Sequence, residues 1–160
     1  MLIGIMSDSH DDMAQIKKAV ELFNARGVEH VLHAGDVISP FTFEVMGGLS
    51  APFSGIFGNN DGDRVLLREK SGGRISTQPL MIELGGKRIA MVHEPPSVDS
   101  LAQSGNFDLV IYGHTHRPDT RQHGGTLVIN PGKTARLHKG TSTVALLDLS
   151  SMKAELIELV

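Results

Sequence analysis

Short apolar runs alternate with amphipathic segments along the first part of the chain. Three of these runs have the length of buried strands and lie at residues 1–7, 28–36 and 53–61. A helix is predicted over residues 11–27, because apolar side chains recur there every three or four positions and Gly27 is a common helix end. A shorter helix is predicted over residues 39–48, with Ser39 as its N-cap.

The second half of the chain is richer in strands. Two apolar runs joined around Gly85-Gly86 predict a hairpin over residues 79–94, and a brief helix follows at residues 97–105. Further strands are predicted at residues 108–114, 126–132, 142–149 and 153–160. The mixed-charge stretch 66–74 reads as flexible and solvated, and His123 as part of a solvated turn. This order favours one α/β layered domain over residues 1–160.

Composition narrows the class of protein. The chain has 160 residues, of which 40% are hydrophobic and 21% charged, and it has no cysteine. No apolar stretch reaches the length of a membrane span, and the first residues lack the basic segment of a signal peptide. We therefore expect a cytoplasmic protein. The net charge of −3 gives no sign of nucleic acid as a partner.

Polar side chains follow five of the predicted strands at the point where each strand ends. In chain order they are Asp8 with His10, Asp36 after Gly35, Asn59 after Gly58, His93, and His114 with His116 after Gly113. Ligands of open α/β sheets bind beyond the carboxyl ends of the strands, so these side chains are expected to converge. The three glycines are expected to let the backbone turn sharply beside the site.

This mixture of imidazole nitrogens with carboxylate and amide oxygens suits a borderline divalent metal. Manganese, iron, zinc, cobalt and nickel accept such ligands, whereas calcium and magnesium prefer oxygen alone. Seven candidate ligands exceed the roughly four that one zinc ion takes, which favours two ions sharing a carboxylate. Each pair spaced two residues apart, Asp8 with His10 and His114 with His116, can present both donors to one side of an extended segment.

Five short motifs, SDSH, AGD, GNND, VHE and GHTH, stand in the order seen in the calcineurin-like metallophosphoesterase family. The chain most resembles the small, single-domain bacterial and archaeal phosphodiesterase branch, over residues 1 to about 140. The resemblance implies a four-layer αββα sandwich of two mixed β-sheets flanked by helices. It also implies a dinuclear centre with Asp8, His10 and His116 on one ion, Asn59, His93 and His114 on the other, and Asp36 bridging them.

The implied reaction is hydrolysis of a phosphodiester by a metal-bridging hydroxide, with Asp36, Asn59 and His114 closest to the chemistry. Many family members carry a histidine where this chain has Asn60. An amide can hydrogen-bond to a leaving oxygen but cannot act as a general acid, and losing such an acid costs about 10²- to 10⁴-fold for poor leaving groups. The change therefore favours substrates with good leaving groups.

Several residues around these motifs are candidates for supporting roles. Asp61 is expected to orient a ligand histidine, and four basic residues are candidates for phosphate contact, weighed against plain surface charge: Arg117, Lys133, Arg136 and His138. His30 and His33 are interpreted as ordinary, partly buried histidines of a strand, with support of the site by His33 as the less favoured alternative. The role of Glu94-Pro95-Pro96 is left open.

Three other functions were weighed against a phosphodiesterase. The retromer's small subunit has the implied fold, lacks the same histidine and serves as a scaffold, but a pure scaffold has no need of seven complete ligands. A phosphomonoesterase is disfavoured only weakly, by Asn60. The acidic charge and the lack of a basic, aromatic-lined groove argue against a nuclease. We expect the substrate to be a small phosphoester. The expected metal is manganese, ahead of nickel, iron, zinc or cobalt, and a homo-oligomer is left open.

Overall fold

The structure is a computed structural model that describes residues 1–136 and 140–160. Its elements, in chain order, are β1 (Leu2–Met6), α1 (Met13–Ala25), β2 (His30–His33), α2 (Phe41–Met46), β3 (Phe53–Ile56), α3 (Arg64–Lys70), β4 (Ile75–Ser76), β5 (Leu80–Leu84), β6 (Lys87–Met91), a 3₁₀ turn (Pro95–Ser97), α4 (Val98–Gln103), β7 (Leu109–Ile111), β8 (Asp119–His123), β9 (Thr126–Asn130), β10 (Thr143–Asp148) and β11 (Lys153–Glu158). Within these ranges, every helix is too short or too polar to cross a bilayer.

The strands form two mixed sheets. The first has the order β11-β10-β1-β2-β3-β4 and the second β5-β6-β7-β9-β8. In the first sheet β1 to β4 are parallel, and β10 and β11 continue it in antiparallel fashion. In the second sheet β6, β7 and β9 are parallel, while β5 and β8 form antiparallel edges. The parallel strands of each sheet therefore end at a common edge.

The layers follow from the alternation of side chains along each strand. Ile3 and Ile5 of β1 point into a core between the two sheets, whereas Met6 points to the opposite face and packs with α1, α2 and α3. On the far side, α4 covers the second sheet through Val98 and Ala102. The order of layers is helix, sheet, sheet, helix, which confirms the predicted αββα sandwich.

Helix α1 connects the first sheet to the loops beyond it. Asp12 is its N-cap: the Oδ1 atom accepts a hydrogen bond from the backbone N–H of Gln15 at 3.2 Å. Its buried face carries Ile16, Ala19, Val20 and Phe23, as the helical spacing predicted. Gly4 of β1 gives the Phe23 ring its space, since a Cβ there would meet the ring at 2.8 Å.

Three local predictions were wrong. Residues 64–70 form α3, capped by Asp63 and anchored by Leu67, so the stretch expected to be flexible is largely helical. His123 is the last residue of β8, an edge strand whose polar pattern hid it. Helix α2 begins after Pro40 and has no side-chain cap, because the Ser39 hydroxyl finds no partner among the described residues.

Candidate metal centre

The first group of candidate ligands lies at the end of β1 and receives a side chain from the second sheet. The Nε2 atom of His116 lies 3.2 Å from Oδ1 of Asp8, and Nε2 of His10 lies 3.8 Å from the same oxygen. The two imidazole nitrogens are 3.4 Å apart. These three residues, predicted to share one ion, therefore point their donor atoms at one place.

The second group joins the loop after β3 to the loops after β6 and β7. The amide oxygen of Asn59 lies 2.9 Å from Nε2 of His93 and 2.8 Å from Nδ1 of His114. The two rings meet edge to face with their centres 5.2 Å apart. Asn59, His93 and His114, predicted to hold the other ion, are thus also brought together.

Asp36 lies between the two groups. Its Oδ2 atom is 3.6 Å from Nε2 of His10 in the first group and 3.4 Å from Nε2 of His93 in the second. A carboxylate shared by two metal ions would have to lie in this position. The side chain is 1% exposed, so few water molecules compete for it.

The donor set fits divalent metal ions. Donor atoms of Asp8, His10 and His116 lie within 4.8 Å of one another, as do those of Asp8, Asp36 and His93. Oδ1 of Asp8 is buried and accepts no hydrogen bond within the described residues. A buried anionic oxygen without a donor is costly unless a cation neutralises it. This oxygen lies where the first ion would bind.

The charge of Asp36 and the orientation of the His93 ring suit metal binding. Burial acts to raise the pKa of the Asp36 carboxyl, but hydrogen bonds from His93 and Asn60 outweigh it, and the pKa lies well below its usual range. Asp36 is therefore ionised at neutral pH. Nδ1 of His93 donates to the carbonyl oxygen of Ala34 at 2.7 Å, which leaves Nε2 facing Asn59 and Asp36. Burial acts to lower the pKa of His93, but its hydrogen bonds to Asp36 and Ala34 outweigh burial and raise the pKa, so a metal ion bound at Nε2 would displace a proton.

The backbone is unusual at the candidate ligands. Five of them adopt a left-handed conformation, with φ of 51° at Asp8, 40° at His10, 59° at Asp36, 65° at His114 and 58° at His116. Aspartate and histidine enter this region more readily than most residues, but it remains uncommon. Backbone strain of this kind concentrates at functional sites, which supports a role for the cluster as a whole.

The glycines of the motifs serve two different purposes. Only Gly35, with φ of 102°, has the left-handed backbone expected of a sharp turn. Gly58 and Gly113 are instead needed for space, because a Cβ at Gly58 would overlap the Asp36 carboxylate and one at Gly113 would overlap the Ser7 hydroxyl. At these two positions the glycine is therefore explained by close packing beside the site.

Asn60 and Asp61 hold the loops that carry Asp36 and Asn59. Asn60 donates twice to the Asp36 carboxylate, from its backbone N–H at 2.9 Å and from its side-chain amide at 2.7 Å. The Asp61 carboxylate accepts from the backbone N–H groups of Asp36, Ile38 and Gly58 at 3.1, 2.7 and 2.7 Å. Its hydrogen bonds thus fix the backbone of both loops, where the sequence suggested orientation of a histidine.

Of the basic residues considered for phosphate contact, Arg117 and Lys133 line an open pocket beside His116. Arg136 is exposed, and its backbone N–H donates to Asp12 at 2.8 Å. His138 lies outside the described residues. Glu94 accepts from the Gln78 amide at 3.0 Å.

His33 supports the candidate ligands more directly than its place in a strand indicated. Its ring is fully buried at the end of β2, and Nε2 lies 2.9 Å from the hydroxyl of Ser9. In sequence, Ser9 stands between the candidate ligands Asp8 and His10. Nδ1 accepts from the backbone N–H of Gly35 at 3.2 Å, so Nε2 carries the proton. Burial lowers the pKa of His33 to about 4, which keeps the ring neutral. The feature of the sequence that indicated this role was the position of His33, three residues before Asp36.

The calcineurin-like phosphoesterase superfamily domain matches residues 1–152 of the chain. This protein is a member of that family. It is 38% identical over 154 residues to a phosphodiesterase of Methanocaldococcus jannaschii, covering 92% of this chain and 93% of that protein.

Solved structures agree with this family assignment. A structure described as a novel archaeal phosphodiesterase superposes with a TM-score of 0.94 at 35% identity, covering 99% of this phosphoesterase and 100% of that chain. Vps29 from Entamoeba histolytica, in complex with zinc, superposes with a TM-score of 0.73 over the full length of both chains. At 19% identity, this second likeness shows the fold alone.

Proposed function

We propose that this phosphoesterase hydrolyses phosphodiesters with two divalent metal ions, manganese foremost, held by the six residues of the two ligand groups and by Asp36 between them. The observation that carries the proposal is the position of Asp36, within 3.6 Å of His10 and 3.4 Å of His93, between two convergent donor sets. The buried Oδ1 atom of Asp8, which accepts no hydrogen bond within the described residues, adds a second reason to expect a cation. The archaeal phosphodiesterase relatives support a diester as substrate.

When bound, the ions would supply the hydroxide nucleophile at neutral pH and the positive charge that offsets charge growing on the phosphoryl oxygens. The chain's own residues hold this centre in place. Asp36 stays ionised, His93 keeps Nε2 inward through its bond to Ala34, and Asn60 fixes the Asp36 carboxylate. His114 is exposed and reaches the opening of the site.

Leaving-group chemistry follows from Asn60. One amide hydrogen donates to Asp36, and the second is free to donate to a leaving oxygen, but neither can be transferred as a proton at neutral pH. We therefore propose that diesters with good leaving groups are preferred over monoesters and over esters of poor leaving groups.

The experiment is to strip the protein with a chelator, reload it with manganese, nickel, zinc or magnesium, and assay bis(p-nitrophenyl) phosphate beside p-nitrophenyl phosphate. We expect metal-dependent cleavage of the diester, reduced at least about 100-fold by Asp36→Asn. Asp99→Asn is the matched control, because Asp99 is an exposed carboxylate on α4.

Two results would contradict the proposal. Stoichiometric metal binding without turnover of either ester would favour a scaffold. A preference for the monoester would overturn the substrate and leave the metal site in place. Cytoplasmic location and homo-oligomerisation stay predictions.

A further inference from the structure

An open pocket of about 400 Å³ adjoins the first ligand group. Its lining includes His116, so the pocket and the candidate metal centre share a wall. The rest of the described lining includes Arg117, Lys133, Thr115, Gly140 and Thr141. The volume is sufficient for a phosphate-sized group together with part of the molecule that carries it.

Charge distinguishes this pocket from the rest of the surface. Its described lining contains two cationic side chains and no carboxylate, although the chain as a whole has a net charge of −3. Arg117 is exposed and forms no ion pair with a carboxylate of the described residues. An arginine with its donors free, beside a lysine, favours an anion with several acceptor oxygens.

The backbone that carries the two cations is joined to the metal ligands. Arg117 directly follows His116. The segment after Lys133 is tied to the end of β1, because Thr134 and Ala135 donate their backbone N–H groups to the carbonyl oxygens of Ser7 and Asp8 at 2.8 and 3.1 Å. Lys133 itself is 5% exposed, and its carbonyl accepts from the N–H of Thr143 at 2.8 Å. The pocket is therefore built into the same backbone as the first ligand group.

We propose that this pocket binds a second phosphate of the substrate, so that the preferred substrates are phosphodiesters with a further phosphate on one ester arm. The proposal rests on the phosphodiesterase function proposed above and deepens it. Arg117 supplies a bidentate contact, Lys133 a point charge, and the Thr141 hydroxyl a further donor.

A matched pair of substrates tests the pocket. Thymidine 5′-(p-nitrophenyl phosphate) has a single phosphate, and its 3′-phosphorylated form differs by the added phosphate alone. With the manganese-loaded protein we expect kcat/KM to favour the 3′-phosphorylated ester by about tenfold, the size of one charge-assisted hydrogen bond, mainly through KM. Arg117→Gln is expected to bring the ratio of the two kcat/KM values close to one.

The control is Arg88→Gln, an exposed arginine at the start of β6, at the end of the sheet opposite the metal ligands. It removes the same charge and should leave the ratio unchanged. Equal kcat/KM values for both esters in the unmutated protein, or a ratio unaffected by Arg117→Gln, would overturn the pocket's role.

A binding measurement separates this proposal from the proposed activity. Calorimetric titration of the manganese-loaded protein with thymidine 3′,5′-bisphosphate and with thymidine 5′-monophosphate needs no turnover. We expect the bisphosphate to bind about tenfold more tightly, and Arg117→Gln to remove the difference. If neither ester is cleaved, the phosphodiesterase function fails, and this titration still decides whether the pocket binds a second phosphate.

Discussion

Hydrogen bonds at single residues offset the unusual backbone of the candidate ligands. A left-handed conformation costs a residue with a side chain about 1–2 kcal/mol. Asp8 and His10 donate their backbone N–H groups to the carbonyl oxygens of Gly35 and Asp36 at 2.9 and 3.1 Å, and the N–H of His114 donates to the Asp8 carboxylate at 3.0 Å. The ligand loops thus hold one another in place before any metal binds.

Replacing His33 should show how much metal affinity depends on residues that hold the ligands in position without binding the metal themselves. Its ring connects the loop of Asp8 and His10, through Ser9, to the loop of Asp36, through Gly35. We expect His33→Ala to weaken metal binding about 10- to 100-fold, as loss of groups that support ligands commonly does. Calorimetric titration with manganese measures this affinity.

His30→Ala is the matched control. His30 lies on the same strand and contacts Ser54 at 3.1 Å, away from the ligand loops. His30→Ala should change metal affinity by no more than about twofold, well below the loss of about 10- to 100-fold expected for His33→Ala. Equal losses in the two variants would show that His33 acts through general stability alone.

At the scale of elements, the strands deliver ligands because β1, β2 and β3 are parallel and end at one edge. Asp12 links that edge to α1. One carboxylate oxygen caps the helix at Gln15, and the other accepts from the backbone N–H of Arg136, in the segment that also contains Lys133. The start of α1 and the segment that contains Lys133 are therefore both held by the Asp12 side chain.

Asp12→Ala should lower the free energy of unfolding by about 2 kcal/mol, the upper end for a lost N-cap, because two hydrogen bonds are lost. Asp63→Ala is the comparison, since Asp63 caps α3 through a single bond to Leu66 at 2.9 Å and should cost about 1 kcal/mol. Urea unfolding of both variants measures the difference. A larger loss for Asp63→Ala would contradict the double role of Asp12.

At the scale of the whole molecule, the site joins the two sheets. The first sheet supplies Asp8, His10, Asp36 and Asn59, and the second supplies His93, His114 and His116. Asp36 and His93 meet across the sandwich at 3.4 Å. A metal bound by both sets can bind only when the sheets are packed together, so binding should stabilise the folded chain.

Free manganese at 100 times its dissociation constant should raise the free energy of unfolding by about 2.7 kcal/mol for one linked site. Urea unfolding with manganese and with chelator measures the change. Asp36→Asn should abolish most of the increase, while Asp99→Asn should keep it. Equal stability with and without manganese would contradict binding across the sandwich.

The sequence by itself determined an α/β layered domain and the convergence of the motifs, and the family resemblance carried by those motifs implied the αββα sandwich. Alternation in β1 separates Ile3 and Ile5 from Met6, and a polar residue after each parallel strand must reach a common edge. Local patterns were sufficient here because parallel strands share their direction. They were insufficient for α3 and β8, where only Leu67 is buried in the helix and the edge strand is polar throughout.

Tertiary structure alone decided which groups support the site and what surrounds it. No local pattern shows that Gly58 and Gly113 give space to Asp36 and Ser7, residues from other strands. The same holds for His33 and Ser9, which lie 24 positions apart in sequence and 2.9 Å apart in space. Sequence periodicity records which face a side chain takes, whereas close contacts between loops depend on how the two sheets pack.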